Sequence, residues 1–266
     1  MNPSVPTTFG CRDLTISVPG RTLVRDLCLS LEAGEFLAVL GQNGAGKSLT
    51  LHTLAGILSA TSGDTFLRDS ALSGMPRQKV ARELALLPQY TEDVFPASVM
   101  DTVMIGRHPH IGRFQWESAE DVAIARQCLQ TMDLEDMLQR DVTTLSGGER
   151  RRLAIAEVLT QMPLVYLLDE PTNHLDPQHQ LDVLHVFREK SAGGSIVVAS
   201  LHDINLAARF ADHCLLLFGD GRWELGTTDE VLTEASLSEL YSTPMEAVPW
   251  RNRQLFIASR AADRME

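Results

Sequence analysis

Residues 41–48 read Gly-Gln-Asn-Gly-Ala-Gly-Lys-Ser and match the pattern G-x-x-x-x-G-K-[ST] at every fixed position. Glycine has no Cβ and reaches positive φ angles easily, so these glycines allow backbone N–H groups to turn inward around an anion. Lys47 can reach the β- and γ-phosphates of a nucleotide, and the hydroxyl of Ser48 can bind Mg²⁺. The segment therefore predicts a phosphate-binding loop. The alternative is a glycine turn beside an unrelated lysine.

A phosphate-binding loop has to lie between a strand and a helix, so that the N-terminus of the helix faces the anion. Residues 35–40 form a short apolar run, as expected of a buried strand. Residues 49–58 have the apolar spacing of a helix and carry Gly56 near the end. Both flanking segments therefore favour the phosphate-binding loop over the unrelated turn.

Two adjacent acids, Asp169 and Glu170, follow the apolar run of residues 164–168. This pattern predicts a buried strand that carries carboxylates at its C-terminal end, where ligands bind in open parallel sheets. Asp169 suits Mg²⁺, directly or through water. Glu170 suits a general base that polarises an attacking water. An acidic turn after a core strand is the alternative, and the upstream loop makes it less favoured.

Residues 145–149 read Leu-Ser-Gly-Gly-Glu, and residues 197–203 form another apolar run that ends at the polar tip His202-Asp203. Each of these segments also has an ordinary interpretation. Residues 145–148 fit a plain turn followed by a helix that Ser146 caps. His202 and Gln89 fit solvated loop residues, and those interpretations stay open.

Together with Gln89 and Asp176, these segments resemble the motifs of the ATPase subunit of an ABC transporter. The similarity runs from about residue 14 to about residue 248, and the separate motifs occur in the order typical of that family. It implies an α/β fold of the P-loop NTPase type. In that fold a mainly parallel central sheet is joined by an antiparallel β subdomain and a helical signature subdomain.

The resemblance also implies ATP, Mg²⁺ and a second copy of the chain, with two copies enclosing two ATP molecules head to tail. The nucleotide-binding residues that it implies are Val18, Gly41, Asn43, Gly44, Ala45, Gly46, Lys47, Ser48 and Leu49. The implied catalytic residues are Lys47, Gln89, Glu170 and His202, and the implied Mg²⁺ ligands are Ser48, Gln89 and Asp169. Leu145, Ser146, Gly147, Gly148 and Glu149 would act on the ATP of the other copy, and Asp176 would lie in the loop between the two sites.

Two positions depart from the family pattern. Leu49 stands where a threonine usually follows the loop serine, but its backbone N–H can still donate to the α-phosphate. Val18 stands where an aromatic residue usually supports the adenine. A stacking contribution of about 0.5–1.5 kcal/mol would then be missing.

Composition limits the class of protein. The chain has 266 residues, a net charge of −12 and four cysteines. Its length suits one large domain, and no apolar stretch approaches the roughly 20 residues of a membrane span. The first residues lack the basic and apolar regions of a signal peptide. Cys11, Cys28, Cys128 and Cys214 are widely spaced, which favours reduced core thiols over metal ligands. We expect a cytoplasmic subunit, peripheral on the inner face of the cell membrane.

Two local strings narrow the subgroup. Residues 105–110 and 202–212, with the tail from 231 to 241, resemble the ATPases of bacterial importers for iron-siderophores, haem and vitamin B12. The implied partners are a second copy, two transmembrane permease subunits and, indirectly, a substrate-binding protein. The spacing of His108 and His110 around a proline favours a docking loop over a metal site.

A soluble ABC-type ATPase that acts on nucleic acid or ribosomes is the alternative function. The net charge of −12 argues against nucleic acid as a partner. Residues 150–152 form the densest basic run, and we expect them to make ion pairs inside the domain.

The expected organisation is a single ABC ATPase domain over residues 1–266. Residues of about 10–90 and 160–220 would form the nucleotide-binding core with its β subdomain, and about 91–158 the helical subdomain. Residues of about 222–266 would form a C-terminal extension, with a hairpin turn at 219–222, a helix from about 228, a strand at 255–257 and a disordered tail from 260. The stretch from Gln89 through Phe95 to His110 would dock a helix of the membrane partner.

Overall fold

A computed structural model describes residues 8–89, 96–112, 115–251 and 253–259. Phe95 in the expected docking stretch, the first residues and the expected disordered tail from 260 lie outside the described residues.

The described residues form strands that alternate with helices, followed by a C-terminal hairpin. The strands are β1 (Thr8–Val18), β2 (Arg21–Glu32), β3 (Phe36–Leu40), β4 (Ser62–Leu67), β5 (Ser70–Ala71), β6 (Leu84–Leu87), β7 (Val165–Asp169), β8 (Ile196–Ser200), β9 (His213–Leu217), β10 (Trp223–Thr227), β11 (Met245–Trp250) and β12 (Arg253–Ala258). The helices are α1 (Lys47–Leu54), α2 (Arg77–Glu83), α3 (Val99–Met104), α4 (Ala119–Thr131), α5 (Gly147–Thr160), α6 (Pro177–Ala192), α7 (Ile204–Phe210), α8 (Thr228–Val231) and α9 (Glu234–Tyr241). Short 3₁₀ turns cover Leu72–Gly74, Ile105–Arg107, Glu135–Met137 and Val142–Thr144.

The central sheet has the strand order β10-β9-β3-β8-β7-β6. Its strands are parallel except for β10, which pairs with β9 as an antiparallel hairpin. All five residues of β3, β7 and β8 are buried, as expected of strands that are covered on both faces. The C-terminal ends of β7 and β8 therefore deliver their last side chains to one edge of the sheet.

The two faces of the sheet have separate cores. On β3, Phe36, Ala38 and Leu40 belong to one apolar cluster, while Leu37 and Val39 belong to the other. The second cluster joins the sheet to α1 and to an antiparallel sheet of order β2-β1-β4-β5. The first cluster joins it to α3–α7 and to the C-terminal helices. The α/β P-loop fold with a mainly parallel sheet, predicted from the sequence, is confirmed.

Helix α1 is shorter than the apolar spacing predicted. It ends at Leu54 instead of continuing to residue 58, and Gly56 adopts a φ of 67° just beyond it. Ile57 and Leu58, which the pattern placed in the helix, lie outside it with exposed side chains. The spacing failed here because a glycine in a left-handed conformation terminates a helix whatever the residues that follow.

The C-terminal part contains more structure than the sequence indicated. Two helices, α8 and α9, occupy the region in which one was expected, and β11 is an unpredicted strand that pairs with the predicted β12. Asn205 fixes this hairpin to α7, because its side chain donates to Phe256 O at 3.2 Å and accepts from Phe256 N at 2.8 Å. The Asp-Gly turn between β9 and β10 lies where it was predicted.

The cysteines are free thiols in the described residues, but one of them is not in the core. Cys11 and Cys214 are buried and Cys128 is half-buried, whereas Cys28 is exposed. The expectation of core thiols is therefore wrong for Cys28, whose strand β2 alternates between buried and exposed positions. Among the described residues, no helix is long and apolar enough to cross a bilayer.

Gly10 provides a test of the antiparallel sheet. It lies in β1 between β2 and β4, and a Cβ at this position would lie only 1.9 Å from Leu29 O. We expect Gly10→Ala to lower the free energy of unfolding by about 1–3 kcal/mol, because the strands must move apart. Urea unfolding followed by circular dichroism measures this change. Gly74→Ala is the matched control, since a Cβ there meets no atom within 4 Å. Equal midpoints for the two variants would contradict the close packing of β1 on β2.

Candidate nucleotide site

The phosphate-binding loop lies between β3 and α1, as predicted. Gly46 is the N-cap of α1, with a φ of 105°, and it contributes no side-chain cap to the helix. A Cβ on Gly46 would lie 3.2 Å from Leu23 Cβ, so a larger residue would be strained in conformation and crowded in space. The first turn of α1 also contains no acidic residue. Its N-terminus is thus suited to a bound anion.

Lys47 is almost fully buried, and its side chain is folded back over the loop. Its Nζ donates to Gly41 O at 2.8 Å and to Gln42 O at 3.3 Å. Burial lowers the pKa of Lys47, and the nearby charges of Glu170 and Asp169 oppose that shift. The lysine is therefore held at the loop before any phosphate is bound.

The two acids lie at the end of β7, beside the end of β8. Ser200 Oγ donates to Asp169 Oδ1 at 2.7 Å and accepts from Glu170 N at 2.9 Å. Asp169 and Ser200 are buried, and Glu170 has a φ of 50°, which is unusual for a residue with a side chain. Backbone strain of this kind persists only where the surroundings hold it, and Ser200 provides part of that support. Ser200 was not predicted as a site residue, although it lies in the apolar run that ends at His202.

The carboxylate of Glu170 is contacted by three polar side chains. Gln89 Nε2 donates to Oε2 at 2.7 Å, and Asn173 Nδ2 donates to the same oxygen. His202 Nε2 lies 2.6 Å from Oε1. The structure thus brings together Gln89, Glu170 and His202, which the sequence placed on three separate segments. Asn173 is a further contact that was not predicted from the sequence.

Arg151 supports this arrangement from beneath. Its guanidinium donates to the carbonyl oxygens of Pro88, Asp169 and Glu170 at 2.6–2.8 Å and to that of Pro171 at 3.4 Å. Burial lowers the pKa of Arg151 to about 10, against the opposing charges of Asp169 and Glu170. The residue therefore stays charged at neutral pH and ties the loop after β6 to the loop after β7.

The expected ion pair inside the domain is present at Arg152, and all three arginines of residues 150–152 also contact the backbone. Arg150 and Arg151 donate to backbone carbonyls, and so does Arg152, which also pairs with Asp133 at 3.8 Å. A signal for Arg151 did exist in the sequence. Two apolar residues, Ala154 and Ile155, follow Arg151 by three and four positions, which is the spacing of one helix face. That spacing indicates that Arg151 lies on the inner face of α5, where all three residues are buried.

A cleft of about 380 Å³ contains most of the predicted nucleotide residues. It is lined by Leu23, Asn43, Gly44, Gly46, Lys47, Ser48, Leu49, Gln89, Glu170 and His202. Gly41 and Ala45 are buried within the loop, while Val18 is half-buried at the end of β1, away from this lining. The donor set fits a triphosphate, and the oxygen atoms of Ser48, Asp169 and Gln89 fit Mg²⁺, which prefers oxygen ligands.

The segment of residues 145–149 starts α5 and does not line this cleft within the described residues. Ser146 caps the helix: its Oγ accepts from Glu149 N at 3.3 Å, and Glu149 Oε2 accepts from Ser146 N at 2.7 Å. Leu145 is buried, whereas Ser146 and Gly147 are exposed and Gly148 is half-exposed. The helix-cap interpretation is therefore correct as far as local structure goes, and the exposed helix end remains accessible.

Asp176 likewise serves as a helix cap. It precedes α6, where its Oδ1 accepts from His179 N at 3.0 Å, and its side chain is mostly exposed. The two histidines for which a docking loop was favoured over a metal site lie apart from that cap. His108 is exposed, and His110 Nε2 lies 2.8 Å from Gln161 O. The described residues contain no group of three or more His, Cys, Asp or Glu side chains that could hold a metal ion.

These features define an ATPase in which the phosphate-binding loop after β3 shares a cleft with a carboxylate after β7, two strands away in the sheet. The family model described as ABC transporter matches residues 24–173. A hemin import ATP-binding protein of Deinococcus radiodurans is 43% identical over 81% of this chain and 81% of its own length. An achromobactin transport ATP-binding protein of Dickeya dadantii is 34% identical over 91% of each chain. The chain therefore belongs to the ABC transporter ATP-binding family, whose members hydrolyse ATP.

Solved structures give the same assignment. An ABC transporter assigned to the metal-chelate type, in an inward-facing conformation, matches with a TM-score of 0.83 and 28% identity. That match covers 96% of this chain and 99% of the other. The ATP-binding subunit of another ABC transporter matches with a TM-score of 0.75 and 25% identity over 88% of this chain and 98% of the other.

The proposed role of Glu170 as a base can be tested by replacing one oxygen of its carboxylate with an NH₂ group. We expect Glu170→Gln to bind ATP with near-normal affinity and to hydrolyse it at least about a hundredfold more slowly, because the amide keeps the shape but cannot accept a proton. Phosphate release and ATP binding would be measured on the same preparation. Glu120→Gln, in the exposed first turn of α4, is the control and should keep full activity. Near-normal turnover of Glu170→Gln would remove it from the role of base.

Proposed function

We propose that the chain is the ATP-hydrolysing subunit of a bacterial importer for metal chelates, and that it works as a homodimer on two membrane permease subunits. One observation supports the proposed homodimer. The cleft supplies phosphate donors on one side, while the exposed N-terminus of α5, which has Gly147 and Gly148 in its first turn, lies outside the lining of that cleft. A second copy in a head-to-tail arrangement would bring that helix end to the γ-phosphate.

In this proposal the side chains at the ends of β7 and β8 carry out the hydrolysis. Glu170 accepts the proton of the attacking water, while Gln89 and His202 hold its carboxylate through the contacts already described. Lys47 neutralises the phosphate charge. Mg²⁺, when bound, would supply further charge neutralisation, and Ser48, Asp169 and Gln89 would hold it. Positioning and electrostatics account for most of the catalysis in phosphoryl transfer.

The cargo is inferred from the relatives. Their names specify hemin and achromobactin, and a structural match that covers 96% of this chain belongs to a transporter of the metal-chelate type. Haem, a ferric siderophore and vitamin B12 share that chemistry, a metal ion enclosed by an organic ligand. Because the ATPase subunit of such an importer does not contact the cargo, the residues of this chain do not choose among the three.

We also propose that the stretch from residue 89 to 110 contacts the permease, which would hold the subunit at the inner face of the cell membrane. In its described part, Ile105 is exposed, whereas Met100 packs partly against the core. The alternative, an ATPase acting on nucleic acid, is not supported. The basic run of residues 150–152 is directed at backbone carbonyls, and the net charge is −12.

The shared site can be tested with two lesions in mixed dimers. One chain carries Ser146→Arg and the other Lys47→Ala. If α5 acts on the partner's ATP, both lesions fall in the same composite site and the second site remains intact, so hydrolysis persists. When both lesions are placed on one chain paired with wild type, each site is damaged and hydrolysis should fall about a hundredfold or more. The reverse order of activities would show that each copy uses its own α5.

Ser118→Arg is the matched control for the loss of a cap. Ser118 caps α4 through the same reciprocal contact, with Asp121 in the place of Glu149. Loss of either cap should cost about 1 kcal/mol of stability. We expect only Ser146→Arg to stop hydrolysis. Equal inhibition by both variants would mean that the effect of Ser146→Arg is structural.

Uptake measurements test the importer. A strain without this chain should lose the uptake of one radiolabelled chelate among haem, a ferric siderophore and vitamin B12. The wild-type gene should restore it, whereas Glu170→Gln should not, because a closed dimer that cannot hydrolyse ATP cannot reset the permease. Uptake of a labelled amino acid serves as the control. Normal uptake of all three chelates in the deleted strain would refute the proposed cargo class.

A further inference from the structure

The place where the adenine ring should rest has no aromatic residue. Val18 occupies the position at which the family resemblance expects one, at the end of β1. A two-residue turn of Pro19 and Gly20 follows, and the register pairs Val18 directly with Arg21 at the start of β2. Arg21 therefore lies across the hairpin from the expected base site.

The guanidinium of Arg21 is fixed beside the phosphate-binding loop. Its Nε donates to Gly219 O at 2.6 Å, across 198 positions of the chain. A Cβ built on Gly219 would lie 2.9 Å from Arg21 Nη2 and 3.0 Å from Ala45 Cα. The guanidinium, the turn after β9 and the phosphate-binding loop thus meet at one point. A side chain at 219 would crowd both groups, and the φ of 76° at this position also favours glycine.

Leu23 shows on which side of the loop the guanidinium lies. Leu23 lines the nucleotide cleft and contacts Gly46, the residue that follows Ala45 in the loop. Arg21 and Leu23 therefore lie next to each other along the same edge of the loop. Glu170 and His202 line the same cleft, so a nucleotide whose γ-phosphate lies at these side chains would direct its base away from them.

We propose that Arg21 replaces the missing aromatic platform, and that the adenine ring of ATP stacks on its guanidinium plane. A planar guanidinium stacks on aromatic rings and adds a cation–π attraction, which an aliphatic valine cannot provide. The hydrogen bond to Gly219 O holds the plane in place before the nucleotide arrives. Within the described residues, no carboxylate forms an ion pair with this group, so its charge is available to the ring.

This inference rests on nucleotide binding at the cleft, and the experiment separates the base from the phosphates. Calorimetry would measure the affinity of the purified chain for Mg-ATP and for Mg-tripolyphosphate, which has no base. We expect Arg21→Ala to weaken ATP binding by about threefold to tenfold and to leave tripolyphosphate binding unchanged. Arg21→Lys, which keeps the charge but not the plane, should lose ATP affinity as well.

Two further variants sharpen the result. Val18→Tyr in the Arg21→Ala background should restore ATP binding, because it returns an aromatic ring to the expected place. Arg25→Ala is the matched control: Arg25 is an exposed arginine of the same strand, close to Gly221 in the same turn. It should leave both affinities unchanged. Tripolyphosphate binding also reports whether each variant retains a folded phosphate loop.

Several outcomes would overturn the proposal. Unchanged ATP affinity in Arg21→Ala would mean that the base rests elsewhere, and an equal loss for ATP and tripolyphosphate would make Arg21 a phosphate ligand. If Arg21→Ala does not fold, Arg21→Lys carries the test, and unchanged ATP affinity in that variant overturns the stacking role. Failure of the wild-type chain to bind either ligand would instead refute the nucleotide site itself. Lys47→Ala should lose both ligands together.

Discussion

The buried charge of Arg151 is the constraint on which the candidate site depends. A guanidinium removed from water is unfavourable unless its N–H groups find partners, and here the partners are carbonyl oxygens of two loops. Those loops carry Gln89 after β6 and Glu170 after β7. Arg151, a residue of α5, therefore sets the distance between Gln89 and Glu170, whose Oε2 accepts the hydrogen bond from Gln89 Nε2. The positive charge beneath them also offsets the repulsion between two adjacent carboxylates.

The same helix connects the carboxylates of Asp169 and Glu170 to the exposed segment at residues 145–149. Its N-terminus is fixed by the contact between Ser146 and Glu149, and its second turn holds Arg151 against the loops. A rigid helix transmits displacement from one end to the other. A displacement of the exposed end of α5 would therefore move the carbonyl oxygens of Asp169 and Glu170, which Arg151 contacts. The proposed dimer needs this coupling between its interface and the two acids.

Sequence reasoning succeeded where the chemistry imposes a local pattern. The phosphate-binding loop needs glycines and a lysine at fixed spacing, and the buried strands read as apolar runs, so β3, α1 and β7 were predictable. It failed where the information lies in distant contacts. Nothing in the residues near Ser200 shows that it contacts Asp169 and Glu170, because the pairing of β7 with β8 brings it there. The missed strand β11 contains Pro249 and exposed side chains, which weaken the usual strand signal.

The C-terminal extension has a consequence for how this chain can be divided. The family model stops at residue 173, yet Leu237, Leu240 and Phe256 belong to the same apolar cluster as Leu168, which precedes Asp169 and Glu170. The segment that the family model matches and the C-terminal extension, here called the tail, therefore share one hydrophobic core. Removal of the tail by a frameshift, a protease or a cloning decision would expose part of that core to water. The remaining chain would then aggregate before its loss of activity could be measured. For this chain, the boundary of the family is not a boundary of the folding unit.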